Sequence, residues 1–280
     1  MGMRLKQALM RPSEKQAPTE LPAAVSLNAD LPFATELGQF ELVYQPVLDL
    51  AAAEVLGWEA LVRWQHPEHG TVSPAEFLPA AEVSGDILTI GGWVLNRACE
   101  DFARTLSCSD QPARWVSVNI SARQLQEPDF ADTVRHALHR WELQPGSLII
   151  EVTEDALGAD TPSAVDALTS LRSDGVRIAL DDFGGGSASL GVLQQQPVDI
   201  IKIDRSLVAM SSESHSDMFD VIVALGDALS LDMIAEGIEE AAELERVMGF
   251  AGVAGQGYYL ARPMSILAAR TFTLESQSVQ

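Results

Sequence analysis

A (β/α)8 barrel with its first strand reversed is the fold class that this 280-residue sequence predicts, on three observations. Short apolar, β-branched runs recur eight times, at 40–46, 55–64, 115–120, 148–152, 176–180, 200–203, 232–235 and 252–255. Between most of them lie helical patterns, at 92–105, 130–141, 163–173, 218–229 and 240–248, and such alternation implies a parallel sheet. Too little sequence separates the first two runs for a crossover helix, so those two strands should pair antiparallel. Eight such units in about 250 residues close into a TIM-like α/β barrel.

Ahead of the barrel, residues 11–32 hold Pro12, Pro18, Pro22 and Pro32 among small and polar residues, a linker composition. The expected organisation is a tail or linker over 1–29, the barrel over 30–270 and a tail over 271–280. Residues 1–16 are basic but lack an apolar stretch followed by a small-residue cleavage site, so they do not read as a signal peptide.

Composition narrows the function classes. Apolar residues make up 47% of the chain, enough to fill one large core, and no run approaches the ~18 residues of a membrane span. The formal net charge of −22 repels polyphosphate, which excludes non-specific DNA or RNA binding. A phosphate-bearing ligand must then meet local positive charge, and bound metal is one source. Cys99 and Cys108 form no Cys-x-x-Cys pair, so neither a disulfide scaffold nor a zinc ribbon is expected, and a reducing cytoplasm is.

Barrel active sites form at the carboxyl ends of the strands, so what stands there is informative. In order, the second to eighth strands present Glu59, Asn119, Glu151, Asp181-Asp182, Lys202 with Asp204, Glu236 and Gln256. Carboxylates and an amide converging on one mouth repel one another unless cations sit among them. All-oxygen ligation selects Mg²⁺ or Mn²⁺ over zinc, and the adjacent aspartates suit a carboxylate bridging two ions. Paired metals serve in-line phosphoryl displacement, so the residues alone point to metal-assisted phosphoester hydrolysis. An aldolase using Lys202 as a Schiff base would not need so many carboxylates around it.

Eight motifs in one order carry a more specific likeness: Tyr44-Gln45-Pro46, Glu59-Ala60-Leu61-Val62-Arg63-Trp64, Val118-Asn119-Ile120-Ser121, Glu151-Val152-Thr153-Glu154, Asp181-Asp182-Phe183-Gly184, Lys202-Ile203-Asp204, Ala235-Glu236-Gly237-Ile238-Glu239 and Gln256-Gly257-Tyr258. Together they resemble the EAL phosphodiesterase family from about residue 30 to 263. The resemblance implies hydrolysis of cyclic di-GMP to linear pGpG with Mg²⁺ or Mn²⁺. It implies metal ligation by Glu59, Asn119, Glu151, Asp181 and Asp182, with Asp181 bridging. Lys202 would position or activate the attacking water, with Glu236 supporting the metal and water network. Gln45, Arg63 and Gln256 would contact substrate or that network, and Glu154 and Glu239 would brace the site. A homodimer is expected, and a regulatory or diguanylate cyclase domain in a longer parent. The alternative within the family is a catalytically silent receptor for the dinucleotide; the intact metal ligands favour the enzyme.

The family's Asp-Asp-Phe-Gly-Thr-Gly-Tyr-Ser-Ser-Leu becomes Asp181-Asp182-Phe183-Gly184-Gly185-Gly186-Ser187-Ala188-Ser189-Leu190. The extra glycine costs more entropy to order, so slower turnover is expected. Elsewhere, His136 and His139 read as a solvated helix face, His66 and His69 as a turn, and Trp58, Trp64 and Trp93 as core.

Overall fold

Fully apolar strand segments have to be covered on both faces, and closing a sheet on itself under a jacket of helices does this. The computed structural model describes residues 23–108, 113–157, 162–185, 193, 196–209 and 213–272. Its strands are β1 Phe40–Asp49, β2 Glu54–His66, β3 Gly70–Val72, β4 Trp115–Asn119, β5 Leu148–Thr153, β6 Arg177–Phe183, β7 Ile200–Ile203, β8 Asp232–Ala235, β9 Val253–Gly255 and β10 Met264–Ser265. The sheet runs β1-β9-β8-β7-β6-β5-β4-β2 and closes through β1–β2, while β10 and β3 add onto β1 and β2. β1 lies antiparallel to both neighbours, β2 and β9, and the other barrel pairs are parallel, as expected. Asp49 turns the first hairpin, its Oδ1 accepting from the N–H groups of Ala51 and Ala52 at 2.9 Å each.

The helices are α1 Ala23–Ala34, α2 Pro74–Ser84, α3 Asp86–Arg104, α4 Ala122–Leu125, α5 Phe130–Arg140, α6 Pro162–Ser173, α7 Arg205–Val208, α8 Glu213–Leu229, α9 Ala241–Met248 and α10 Ile266–Arg270. Linker composition misleads over 23–32. Leu27, Leu31 and Ala34 recur at helical spacing and are buried against the barrel. The expected boundary at residue 30 therefore falls inside α1. His66 fastens this helix: its Nδ1 accepts the N–H groups of Glu68 and His69, which leaves Nε2 to donate to Asp30 Oδ2 at 3.1 Å. The expected turn at His66 and His69 is thus present. α2 was not foreseen, although Ser73-Pro74-Ala75-Glu76 spells a helix start, with Glu76 Oε2 accepting from Ser73 N–H.

Inside the barrel one apolar layer forms a floor. Val47, Trp115, Ile149, Ala179, Ile200, Ile234 and Ala254 pack together, one from each of seven strands, with Leu56 of β2 against them. Trp115 reaches across to Gly57, where a Cβ would stand 2.2 Å from its ring, so only glycine fits there. Strand side chains alternate in and out, so the next inward position lies two residues on, toward the carboxyl ends. In the reversed strand β1 it lies two residues back.

Candidate active site

The layer above the floor holds one inward side chain per strand: Gln45, Glu59, Ser117, Glu151, Asp181, Lys202, Glu236 and Gln256. Each stands two residues from the floor, from Gly57 in β2 and one position past the end of β8 and β9. Lys202, 1% exposed, occupies the centre. Its Nζ meets Glu151 Oε2 and Glu236 Oε1 at 2.7 Å each, Asp181 Oδ1 at 3.1 Å and Glu59 Oε2 at 3.6 Å. Glu59 also accepts from Asn119 Nδ2 at 2.8 Å and from Gln256 Nε2 at 2.7 Å. Seven of the expected site residues are therefore joined in one network. Lys202 is the only lysine among the described residues.

Asp182 follows at the lip of the barrel. A β-bulge between Leu180 and Phe183 shifts the β6–β7 register, and Asp182 takes a left-handed φ of 55°. Aspartate tolerates that region better than most residues, yet strain beside the ring marks a functional turn. Gly184 completes it at φ 93°, where a Cβ would run into Leu207. A Cβ at Gly185 would come 2.8 Å from Asp204 Cγ, so the family's threonine needs Asp204 to move. Asp204 itself caps α7, accepting from Ser206 N–H at 2.9 Å. The rest of the variant loop, 186–189, lies outside the described residues.

Electrostatics in the ring are lopsided. Burial works against the Lys202 ammonium, but Asp181, Glu151, Glu236 and Glu59 overcome it and hold the amine well above its ordinary pKa. Burial, then the Glu59 charge, pushes Glu151 well above the usual carboxylate range. Burial likewise lifts Glu236 to about 8, against the pull of Lys202. Burial, with Asp181 and Asp204, raises Asp182. For Glu59 burial is outweighed by Lys202 and its hydrogen-bond donors, and its pKa falls.

Four carboxyl groups thus surround one ammonium and Asp182 adds a fifth at the lip, a surplus of negative charge that divalent cations would neutralise. Asp181 Oδ1 pairs with Lys202 without an aligned hydrogen bond, and the buried Gln256 Oε1 has no donor. One oxygen each from Asp181, Asp182 and Glu236 lie within 4.8 Å of one another. Donor chemistry and orphaned oxygens fit hard, oxygen-loving ions.

Around the ring the mouth offers two recesses. One, of about 240 Å³, is lined by Gln45, Glu59, Asp182, Glu236, Glu239 and Gln256 with Asp204, Arg205 and Tyr258. The other, of about 520 Å³, opens beside Asn119 and Glu151 and is walled by Leu61, Leu78, Ile87, Ile90 and Val94. Gln45 is buried and donates to Ala261 O at 3.1 Å. Arg63 lies four residues beyond Glu59 on the same strand face, on the order of 13 Å further along, its Nη1 donating to Val62 O. Glu239 is exposed and pairs with Arg205 at 3.4 Å; Glu154 opens a 3₁₀ turn after β5. The partners of Gln45, Arg63 and Glu239, namely Ala261, Val62 and Arg205, lie outside the Lys202-centred network.

Sequence reasoning passed over Ser117, Arg205 and Tyr258. The two-residue spacing from the floor would have found Ser117, whose buried Oγ has no partner. The motif Gln256-Gly257-Tyr258 contained the third. His136 and His139 are solvent-exposed, while Trp58 and Trp64 are buried and Trp93 packs on the core.

Known proteins resemble this chain over most of its length. The profile described as EAL domain matches residues 28–263. The chain is 40% identical over 243 residues to the bifunctional diguanylate cyclase/cyclic di-GMP phosphodiesterase MucR of Pseudomonas aeruginosa, covering 86% of this chain and 35% of that protein. It is 38% identical over 250 residues to the cyclic di-GMP phosphodiesterase NbdA of the same organism, covering 89% and 32%. The chain therefore spans about a third of the length of these relatives. A solved structure described as the PaMucR phosphodiesterase in complex with c-di-GMP superimposes with a TM-score of 0.80 at 38% identity, over 86% of this chain and 98% of that one. Among the described residues no helix is long and apolar enough to cross a membrane.

Proposed function

This chain belongs to the EAL domain family, and we propose that it is a phosphodiesterase that opens cyclic di-GMP to linear pGpG. The observation that carries the reading is the ring itself, four carboxyl groups converging on one buried ammonium at the open end of a sealed barrel, with Asp182 at its lip. A dead receptor of the dinucleotide has no need of so costly an arrangement.

Glu59, Asn119, Glu151 and Asp181 would hold one Mg²⁺ or Mn²⁺, and Asp181 and Asp182 a second. Bound there, the ions would supply Lewis acidity to the phosphodiester and acidify water. Lys202 stays an ammonium because the carboxylates around it favour the charge, so it acts by donating hydrogen bonds and fixing the attacking water. Glu236, lifted by burial to about 8 and paired with Lys202 at 2.7 Å, would support the metal and water network. Gln256 and Asn119 lock both oxygens of Glu59, which keeps that side chain in one orientation. Arg63 keeps further guanidinium N–H groups for a phosphate, and Gln45 stands at the wall of the smaller recess.

The longer relatives support a parent with a regulatory or diguanylate cyclase domain, and a homodimer completes the reading. The test is incubation of the purified chain with cyclic di-GMP and Mg²⁺ or Mn²⁺, with chromatography for pGpG. Product that appears with either ion and stops with chelator or Ca²⁺ supports the proposal. Binding of the dinucleotide with no pGpG under any ion would make the chain a receptor.

A further inference from the structure

We propose that Ser117 is a positioning residue whose hydroxyl donates to the Glu151 carboxylate when that side chain ligates a metal ion, an inference that rests on the phosphodiesterase reading. Of the eight inward side chains in the ring layer, Ser117 alone has no polar partner. It is fully buried, and its Oγ makes no hydrogen bond. A buried hydroxyl without a partner destabilises a fold relative to the alanine that could replace it. Its partner therefore belongs to another state of the ring, and the groups on either side of Ser117 say which state.

β4 runs between β2 and β5, so Ser117 stands between Glu59 and Glu151. Beneath it lies the apolar floor, so its polar neighbours are in the ring. Glu59 is its register partner on β2. Glu151 lies two residues beyond its register partner on β5, Ile149. Such diagonal neighbours on one sheet face stand about 7–8 Å apart, within reach of a long side chain.

The two carboxyl groups differ in what already holds them. Glu59 has an amide donor on each oxygen, Asn119 at 2.8 Å and Gln256 at 2.7 Å. Among the described residues Glu151 has no amide or hydroxyl donor, and its Oε2 takes the Lys202 ammonium at 2.7 Å. That ammonium carries three N–H groups and already faces Glu236 and Asp181 as well. Once Glu151 turns an oxygen toward an ion, a second donor is needed to fix the plane of its carboxylate. A change of χ1 well at Ser117 re-aims the hydroxyl without moving the floor. Carboxylates that ligate metals are themselves hydrogen-bonded, and loss of such a partner typically costs about 10–100-fold in metal affinity or activity.

The test compares the wild-type chain with Ser117→Ala in three measurements. In chelator the variant should melt at or above the wild-type temperature, because the hydroxyl it lacks has no partner there. Calorimetry should show Mg²⁺ binding weakened about ten- to hundredfold, and the Mg²⁺ concentration for half-maximal pGpG formation should rise with it. At saturating Mg²⁺ the KM for cyclic di-GMP should stay within about twofold. Unchanged Mg²⁺ affinity overturns the proposal, and a lower melting point in chelator does so too, by showing that the hydroxyl serves the metal-free fold. A raised KM with unchanged Mg²⁺ affinity would make Ser117 a substrate contact and overturn it equally. A wild-type chain that takes up neither Mg²⁺ nor Mn²⁺ would defeat the metal-dependent reading itself, and Ser117's role with it.

Discussion

Replacing Lys202 by methionine removes the ring's one ammonium while keeping a straight stem of similar volume. The ammonium contacts Glu151 and Glu236 at 2.7 Å and Asp181 at 3.1 Å, and all three carboxyls sit at the centre of the barrel. Removing one partner of a buried ion pair costs about 3–5 kcal/mol. Protonation of Glu151 and Glu236, whose pKa values are already raised, relieves part of this, which favours the lower end. For a domain of this size the melting point should then fall by roughly 6–12 °C in chelator. Saturating Mg²⁺ should recover much of that loss, because divalent charge replaces the ammonium and binds the folded state alone. Turnover should not recover, and should stay about 10²–10⁴-fold below wild type. Thermal melts with chelator or with Mg²⁺, beside pGpG chromatography, read both quantities. A variant that melts like wild type in chelator, or turns over within tenfold of it in Mg²⁺, would refute the reasoning.

Glu59→Gln should weaken Mg²⁺ binding and abolish turnover, since a neutral amide replaces the oxygens that Asn119 and Gln256 orient; calorimetry with Mg²⁺ checks it. Glu236 titrates at about 8 when folded against an ordinary 4.5, so it binds its proton more tightly in the folded chain. The stability it contributes is complete below pH ~4.5 and drains away as pH rises to ~8, so melts in chelator should decline across that window and flatten with Mg²⁺. Arg63→Ala should raise KM for cyclic di-GMP about tenfold or more while the melting point holds, because the side chain is only partly buried and its one bond runs to the neighbouring Val62 O. Tyr44→Phe strips Asp101 of a buried 2.7 Å hydrogen bond and should cost about 1–3 kcal/mol in urea melts without altering the Mg²⁺ requirement.

The barrel was legible because its strands are apolar on both faces and its site residues interrupt that pattern at one depth. Glu151 stands out in Leu-Ile-Ile-Glu-Val, and Lys202 in Ile-Ile-Lys-Ile, since water-facing alternation would not place a lone charge there. Strand ends were less legible. β6 continues to Phe183 only because Asp182 adopts a left-handed φ and the strand bulges past it, which composition does not encode. α3 begins at Asp86, ahead of the expected start at residue 92. Gly91 lies against the Gln124 side chain, where a Cβ would stand 2.1 Å away, so that glycine serves packing and breaks nothing. α1 was hidden by Pro22 just ahead of it and Pro32 within it, and Tyr258 by a motif read for its glutamine.

A barrel whose only described lysine sits at its centre carries its own tamper seal. Between residues 23 and 272, a protease that cuts only after lysine has a single target, the bond following Lys202. That bond joins two buried residues of β7 and cannot be reached while the strand is paired on both sides. Lys6 and Lys15 precede this region, and cleavage there leaves the barrel fragment whole. Division of the fragment at Lys202 therefore counts openings of the entire barrel, with no label, no engineered site and no measurement of activity.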